Sequence, residues 1–324
     1  PTQDRAVVKL NKSQTDFFTI AEVFRRFNYH TEFIYGGEAH FDNMKSFFLG
    51  NGFKDIIDLP RFNKVDFLAS WGASDEDLFD QAHLEFSKLA ASEKPFFSLV
   101  FTSSNHSPYE FPDGKISLYD QEKQTRNNAA KYADFSLGKF MARAKRSNYW
   151  QDTIFLIVAD HDSRVAGASL VPVEHFRIPG VIFGNGVKPK VDNRLVSQID
   201  LGPTLLSLLG VSGKTPMLGH DLTQKLAKEK QRVMMQYDKN FAYMTPTSLT
   251  VLQPKKAPVT FLRQRGKFIA PNRNSEMAKV ALSHVLYGNL AYQQAWYFNP
   301  AAGNNNDNVK IAMPLPAQQT SAEE

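Results

Sequence analysis

The sequence predicts an α/β fold: a mostly parallel sheet flanked by helices, followed by a small C-terminal antiparallel sheet with one helix. Two charge-free apolar runs, Phe96 to Phe101 and Thr153 to Ala159, have the composition of strands buried on both faces, and such strands belong to parallel sheets. Each runs into a burst of polar residues, Thr102 to His106 in one case and Asp160-His161-Asp162 in the other. In open α/β sheets ligands bind beyond the carboxyl ends of strands, so both bursts are candidate site segments. After about Gly219 the long runs give way to short alternating ones, the texture of a meander.

Composition narrows the classes. With 324 residues, 42% hydrophobic, and a mean hydropathy of −0.37, the chain can build one large domain plus an appendage. Its longest apolar runs fall far short of the roughly 18 to 20 residues that a bilayer helix needs. The net charge of +5, from 38 basic and 33 acidic residues, is mild and scattered, which disfavours nucleic-acid binding and permits at most affinity for anionic surfaces or substrates. The absence of Cys excludes disulfides and thiolate metal sites, and fits a cytoplasmic or a bacterial extracytoplasmic setting. A chain that opens on Pro1, with neither initiator Met nor signal peptide, reads as a piece of something longer.

In chain order, Thr15 to Asn28 has the apolar spacing of an amphipathic helix, through Phe18, Ala21, Val23 and Phe24. A strand follows from Thr31 to Tyr35 and ends at Gly36-Gly37. Glu38, His40, Asp42 and Asn43 then crowd one loop, which either lines a site or, with Gly36-Gly37 as a tight turn, is simply solvated. A short helix packs Phe47, Phe48 and Phe53 onto the body. Ser74-Asp75-Glu76-Asp77 has the form of a capping box, opening a helix through Leu89. Asn105 and His106 can donate to the oxygens of an anionic ester, as phosphate or sulfate recognition requires, although a lone His106 would also suit an ordinary loop. A long helix is expected from Asn127 to Arg146, a strand from Arg177 to Gly184, and a helix from Ser197 to Leu209 closed by Gly210. Val233 to Tyr237, Phe241 to Met244, Ser248 to Leu252, Val259 to Arg263 and Lys267 to Ala270 read as the meander, with Arg265-Gly266 as one turn, and Ser275 to Tyr287 as its helix. The expected organisation is a catalytic α/β domain over 1–219, the antiparallel region over 220–300 and a loosely held tail over 301–324.

Asp160, His161 and Asp162 combine carboxylate oxygen with imidazole nitrogen, a donor set suited to Zn, Mn or Mg. The same residues also fit a helix cap, a satisfied histidine and a solvated carboxylate.

A set of ordered strings is more specific. Asn11-Lys12-Ser13-Gln14-Thr15, Phe33-Ile34-Tyr35-Gly36-Gly37-Glu38, Phe41-Asp42-Asn43-Met44, Trp71-Gly72-Ala73-Ser74-Asp75-Glu76-Asp77, Ser104-Asn105-His106-Ser107-Pro108, Val158-Ala159-Asp160-His161 and Gln198 through Leu206 together resemble the lipoteichoic-acid-synthase-like branch of the sulfatases, within the alkaline phosphatase superfamily. The resemblance implies a membrane-anchored phosphoglycerol transferase with its catalytic domain on the periplasmic face of a bacterial inner membrane, anchored through a transmembrane region outside this sequence. It implies metal-dependent transfer of a phosphoglycerol-type group from a phospholipid headgroup to an acceptor hydroxyl through a covalent Thr intermediate. Alternatives are hydrolysis of a sulfuric or phosphoric ester, and a non-catalytic binding module. It further implies one divalent ion, Mn²⁺ first and Mg²⁺, Zn²⁺ or Ca²⁺ after it, held in part by Asp160 and His161. His106 takes the headgroup phosphate, and Glu38, His40, Phe41 and Asn43 belong to the substrate loop. Two departures stand out. The family's metal-binding Glu and nucleophilic Thr lie upstream of the Asn11 string, and neither Thr2 nor Thr15 matches the nucleophile's context, so weak or absent metal binding is expected of this piece. Where Gram-positive synthases carry a Trp and, two residues on, an Arg, this chain has Phe41 and Asn43, losing a bidentate phosphate clamp.

Overall fold

The computed structural model describes residues 7–9, 14–162, 169–297 and 309–311. These fall into two compact units, one formed by the described residues up to 162 together with 178–188, the other by 169–177 and 189–311. The sequence places its boundary at 219, whereas contacts group residues 189–219 with the C-terminal unit. The Asn11-Lys12-Ser13 string, Thr2 and most of the expected tail lie outside the described residues.

In the first unit, strands β1 (His30–Tyr35), β2 (Asp55–Ile57) and a later strand, Phe96–Phe101, form a parallel sheet with β1 in the middle. The side chains of β1 alternate across it. Ile34 joins Ile57, Leu78, Ala82, Phe86 and Phe140 on one face, while Phe33 and Tyr35 join Ala21, Ala39, Phe53 and Ile56 on the other. Helix α1 (Ile20–Arg26) packs on the second face, and α2 (Met44–Leu49) packs beside β2. The two-residue strands β3 (Leu68–Ala69) and β4 (Gly72–Ala73) make a short antiparallel pair ahead of α3 (Asp75–Ala91). Phe96–Phe101 is β5, and α4 (Arg126–Ala144) packs along α3 over the first face.

Helix α1 is shorter than its periodicity suggests because its ends are fixed by local chemistry. Thr19 caps it by accepting from Glu22 N (3.0 Å), and Asn28 adopts a left-handed φ of 62° that stops it. Strand β6 (Ile154–Val158) also differs from expectation. It pairs antiparallel with β7 (Gly180–Gly184), and all five of its residues are half-buried rather than covered on both faces. Among the described residues β6 has no other strand neighbour and β5 pairs only with β1. A strand with one partner leaves its other edge and flanking side chains uncovered, which is why Leu99 and Phe101 of β5 remain 37% and 40% exposed. Phe155 of β6 nonetheless packs on the core beneath α3 and α4, with its ring 6.4 Å from that of Phe140.

In the second unit, α5 (Leu201–Leu208) leads into β8 (Val211–Gly213). A five-stranded antiparallel meander follows: β9 (Val233–Tyr237), β10 (Asn240–Met244), β11 (Ser248–Leu252), β12 (Val259–Gln264) and β13 (Lys267–Asn272), each beside the next. Both Arg265 and Gly266 have positive φ, which the tight hairpin turn between β12 and β13 requires. Helix α6 (Ser275–Gln293) packs on β10, β11 and β12 and runs past its expected end. Val309–Ile311, expected in the loose tail, forms β14 against β8. A buried ion pair ties the start of α5 to β9. Arg232 Nη1 donates to Asp200 Oδ1 and Oδ2 (2.9 and 3.1 Å), and Asp200 also accepts from Ser197 N and His220 N.

Removing one partner of a buried pair strands the other, so Arg232→Ala should lower unfolding free energy by about 3 kcal/mol in denaturant titrations. A second expectation concerns Glu76, which accepts from Lys139 Nζ (2.6 Å) and Lys115 Nζ (3.3 Å). Burial pushes its carboxyl up, but the two lysines outweigh burial and leave it below the ordinary 4.5. The folded state therefore binds this proton more weakly than the unfolded one. Its contribution is complete above that ordinary value and drains as pH falls through the depressed one. Lys139→Met should cost about 1 kcal/mol at neutral pH, because Lys139 is half-exposed, and the deficit should shrink on acidification.

Candidate active site

β1 and β5 run parallel, with Tyr35 opposite Phe101, so the loops that follow them leave the sheet on one edge. The first loop passes close to β4. Ala73 N donates to Gly36 O (2.8 Å), and a Cβ on Gly72, whose φ is 119°, would collide with that carbonyl. Gly36 and Gly37, at a bend after β1, thus let two backbones touch. Beyond it the exposed Glu38 and His40 side chains meet, Oε2 to Nδ1 at 3.1 Å. Asp42 and Asn43 both adopt left-handed φ, 50° and 61°, and Asn43 Nδ2 donates to Val8 O (3.3 Å). Burial, and then the charge of Asp42, push the Tyr35 hydroxyl above its ordinary range.

The two loops meet through aromatic rings. Phe41, 45% exposed, meets Trp71 edge-on with centroids 5.7 Å apart, and Trp71 lies against His106 at 4.2 Å. His106 Nδ1 lies 2.7 Å from Ser107 O. A carbonyl only accepts, so Nδ1 carries the hydrogen, and in the neutral ring the outward Nε2 keeps its lone pair. Trp71 Nε1 donates to the same Ser107 carbonyl (2.7 Å). His106, Phe41 and the neighbouring Glu38, His40 and Asn43 therefore occupy one exposed edge. Trp71 joins them although the strand-end pattern gave no reason to single it out.

Asp160 and His161 follow β6 immediately and are largely exposed, with side chains 65% and 68% accessible. Asp160 Oδ1 accepts from His161 N (2.8 Å), and His161 Nδ1 lies 3.2 Å from Asp162 O. Asp160 Oδ2 and His161 Nε2 lie 3.6 Å apart. Donors about 2.0–2.2 Å from one ion span such a distance at near-tetrahedral angles, so the pair fits two positions around a divalent cation. It does not make a whole site. Among the described residues no group of three or more His, Asp or Glu could hold a metal ion, so neither His106 nor the Glu38–His40 pair joins Asp160 and His161 at coordination range.

Comparison with known proteins fits this picture. The Sulfatase family profile matches residues 1–211. The crystal structure of a protein in the alkaline phosphatase superfamily from Vibrio parahaemolyticus is 53% identical, with a TM-score of 0.88 over 92% of this chain and 74% of that one. The lipoteichoic acid synthase LtaP from Listeria monocytogenes shares the fold, at TM-score 0.69 and 20% identity over 87% of this chain and 74% of that one. Phosphoglycerol transferase I of Xanthomonas campestris pv. campestris is 28% identical over 212 residues, 60% of this chain and 29% of that protein. The chain spans about a third of the length of such curated relatives. With a profile match across more than half its residues and a solved relative identical at 53% of aligned positions, the chain belongs to the sulfatase family of the alkaline phosphatase superfamily.

Proposed function

We propose that the whole protein is an enzyme that transfers a phosphoglycerol-type group from a phospholipid headgroup to an acceptor hydroxyl, on the extracytoplasmic face of a bacterial membrane. The observation that carries this reading is the row Phe41–Trp71–His106, which offers aromatic faces for a glycerol moiety beside an outward Nε2 for its phosphate. The relatives named for phosphoglycerol transfer and lipoteichoic acid synthesis support it. His106 binds a phosphoryl oxygen and, protonated on Nε2, gives its proton to the leaving oxygen. Asp160 and His161 would hold a divalent cation in part, Mn²⁺ first among the candidates. When bound, such an ion withdraws charge from phosphoryl oxygens. The covalent Thr step rests on the family resemblance alone. No described helix is long and apolar enough to cross a membrane.

Hydrolysis of a sulfate or phosphate ester is favoured as the second reading by one residue. Asn43 stands where Gram-positive synthases carry an Arg, and its amide is already committed to Val8 O.

A fluorescent phosphatidylglycerol with Mn²⁺ and a glycan acceptor tests the first reading. Expected are released diacylglycerol and a modified acceptor, with kcat/KM falling about 100-fold or more in His106→Ala. Turnover of an aryl sulfate without any phosphodiester turnover would transfer the assignment to the second reading. The 324-residue chain itself should show no stoichiometric uptake of micromolar Mn²⁺ by calorimetry, and whatever weak binding appears should fall in Asp160→Ala and His161→Ala.

A further inference from the structure

The loop that presents His106 is held from below by a residue that the site chemistry does not use. Asp75, the first residue of α3, is 1% exposed. Its Oδ1 accepts from both Ser103 N (3.1 Å) and Ser104 N (3.0 Å), and Asp75 N donates back to Ser104 Oγ (2.9 Å). Three hydrogen bonds therefore cross a gap of 28 or 29 residues to one dipeptide. His106 N in turn donates to Ser103 O (3.0 Å), so the turn that carries the imidazole is built on the residue Asp75 grips. The same segment touches the loop again, through Trp71 Nε1 to Ser107 O and Ser70 N to Glu110 Oε2 (2.7 Å each). Asp75 Oδ2 has no hydrogen-bond partner although it is fully buried. A buried orphan oxygen is costly and persists where geometry demands its carboxyl group. For packing alone a small apolar residue would serve better.

The geometry points to Asp75 as a positioning residue for His106, fixing the Ser103–His106 turn so that the imidazole lies against Trp71 with Nε2 outward. This rests on the reading of His106 as the phosphate-binding group. Without the clamp the turn loses the acceptor for two adjacent backbone N–H groups, and the imidazole loses its fixed distance from the indole.

The test is an NMR measurement on the 324-residue chain with ¹³C-labelled histidine, with the His106 signal identified by its loss in His106→Ala. An indole 4.2 Å away imposes a ring-current shift on imidazole protons. The shift should collapse toward the exposed-histidine position in Asp75→Ala and be retained in Asp75→Asn, whose amide oxygen still accepts from both N–H groups. Should Asp75→Ala fail to fold, Ser104→Ala, which removes only the return hydrogen bond, decides by the same signal through a partial collapse. A folded Asp75→Ala, or Ser104→Ala in its place, with the wild-type shift overturns the inference. Glycerol phosphate binding separates it from the reading beneath it. Affinity should fall about tenfold or more in both Asp75→Ala and His106→Ala. If the ring-current shift collapses while neither variant alters binding, the positioning role stands and the phosphate role of His106 falls.

Discussion

One helical turn with three buried carboxylates organises the first unit. Asp75, Glu76 and Asp77 are consecutive, nearly inaccessible and would repel one another, yet each is directed to a different neighbour. Asp75 takes the backbone after β5, Glu76 takes Lys115, Lys139 and the Tyr132 hydroxyl, and Asp77 takes Asp66 N and Phe67 N. The N-terminus of α3 supplies compensating positive potential. Burial pushes the Asp75 carboxyl upward against its hydrogen bonds from Ser104 and Ser103. Two loops and α4 are thus referred to a single point. A shift of α3 would move His106, Trp71 and the Lys115 segment together.

The legible parts of the fold were those where local pattern and tertiary environment agree. The meander could be read because each strand is short and bounded by turn residues, and Arg265-Gly266 adopts the backbone its chemistry favours. Ser74 was recognisable as a cap, and it accepts from Asp77 N as expected, though Asp77 uses its own carboxylate on Ser74 Oγ and on the β3 approach instead of closing a reciprocal box. β6 was misjudged because seven uncharged residues specify an apolar strand without specifying how many neighbours it has. Its partner, β7, arrives antiparallel from beyond the following loop.

The candidate site divides along the same line. His106, Asp160 and His161 were visible because each ends an apolar strand, a purely local signal. Trp71 and Asp75 were legible only as members of a family-like string, and Asp75 also of a capping box; their contacts to the His106 loop were not, because these are hydrogen bonds spanning 36 and 28 residues that no window of sequence contains. What the residues do provide is an asymmetric recognition edge, rich in aromatic surface and poor in fixed positive charge. Under the function proposed above, phosphate recognition would lean on the His106 imidazole and on an ion that Asp160 and His161 would help to hold.

The left-handed pair Asp42–Asn43 has an evolutionary consequence. The left-handed conformation costs most residues about 1 to 2 kcal/mol through their Cβ, and Asn offsets part of that by bonding locally with its short side chain. Asn43 is therefore a position where this backbone favours Asn over Arg. An Asn43→Arg exchange would have to move the loop before it could lend charge. Gaining an Arg at position 43 is thus easiest when backbone path and side chain change together.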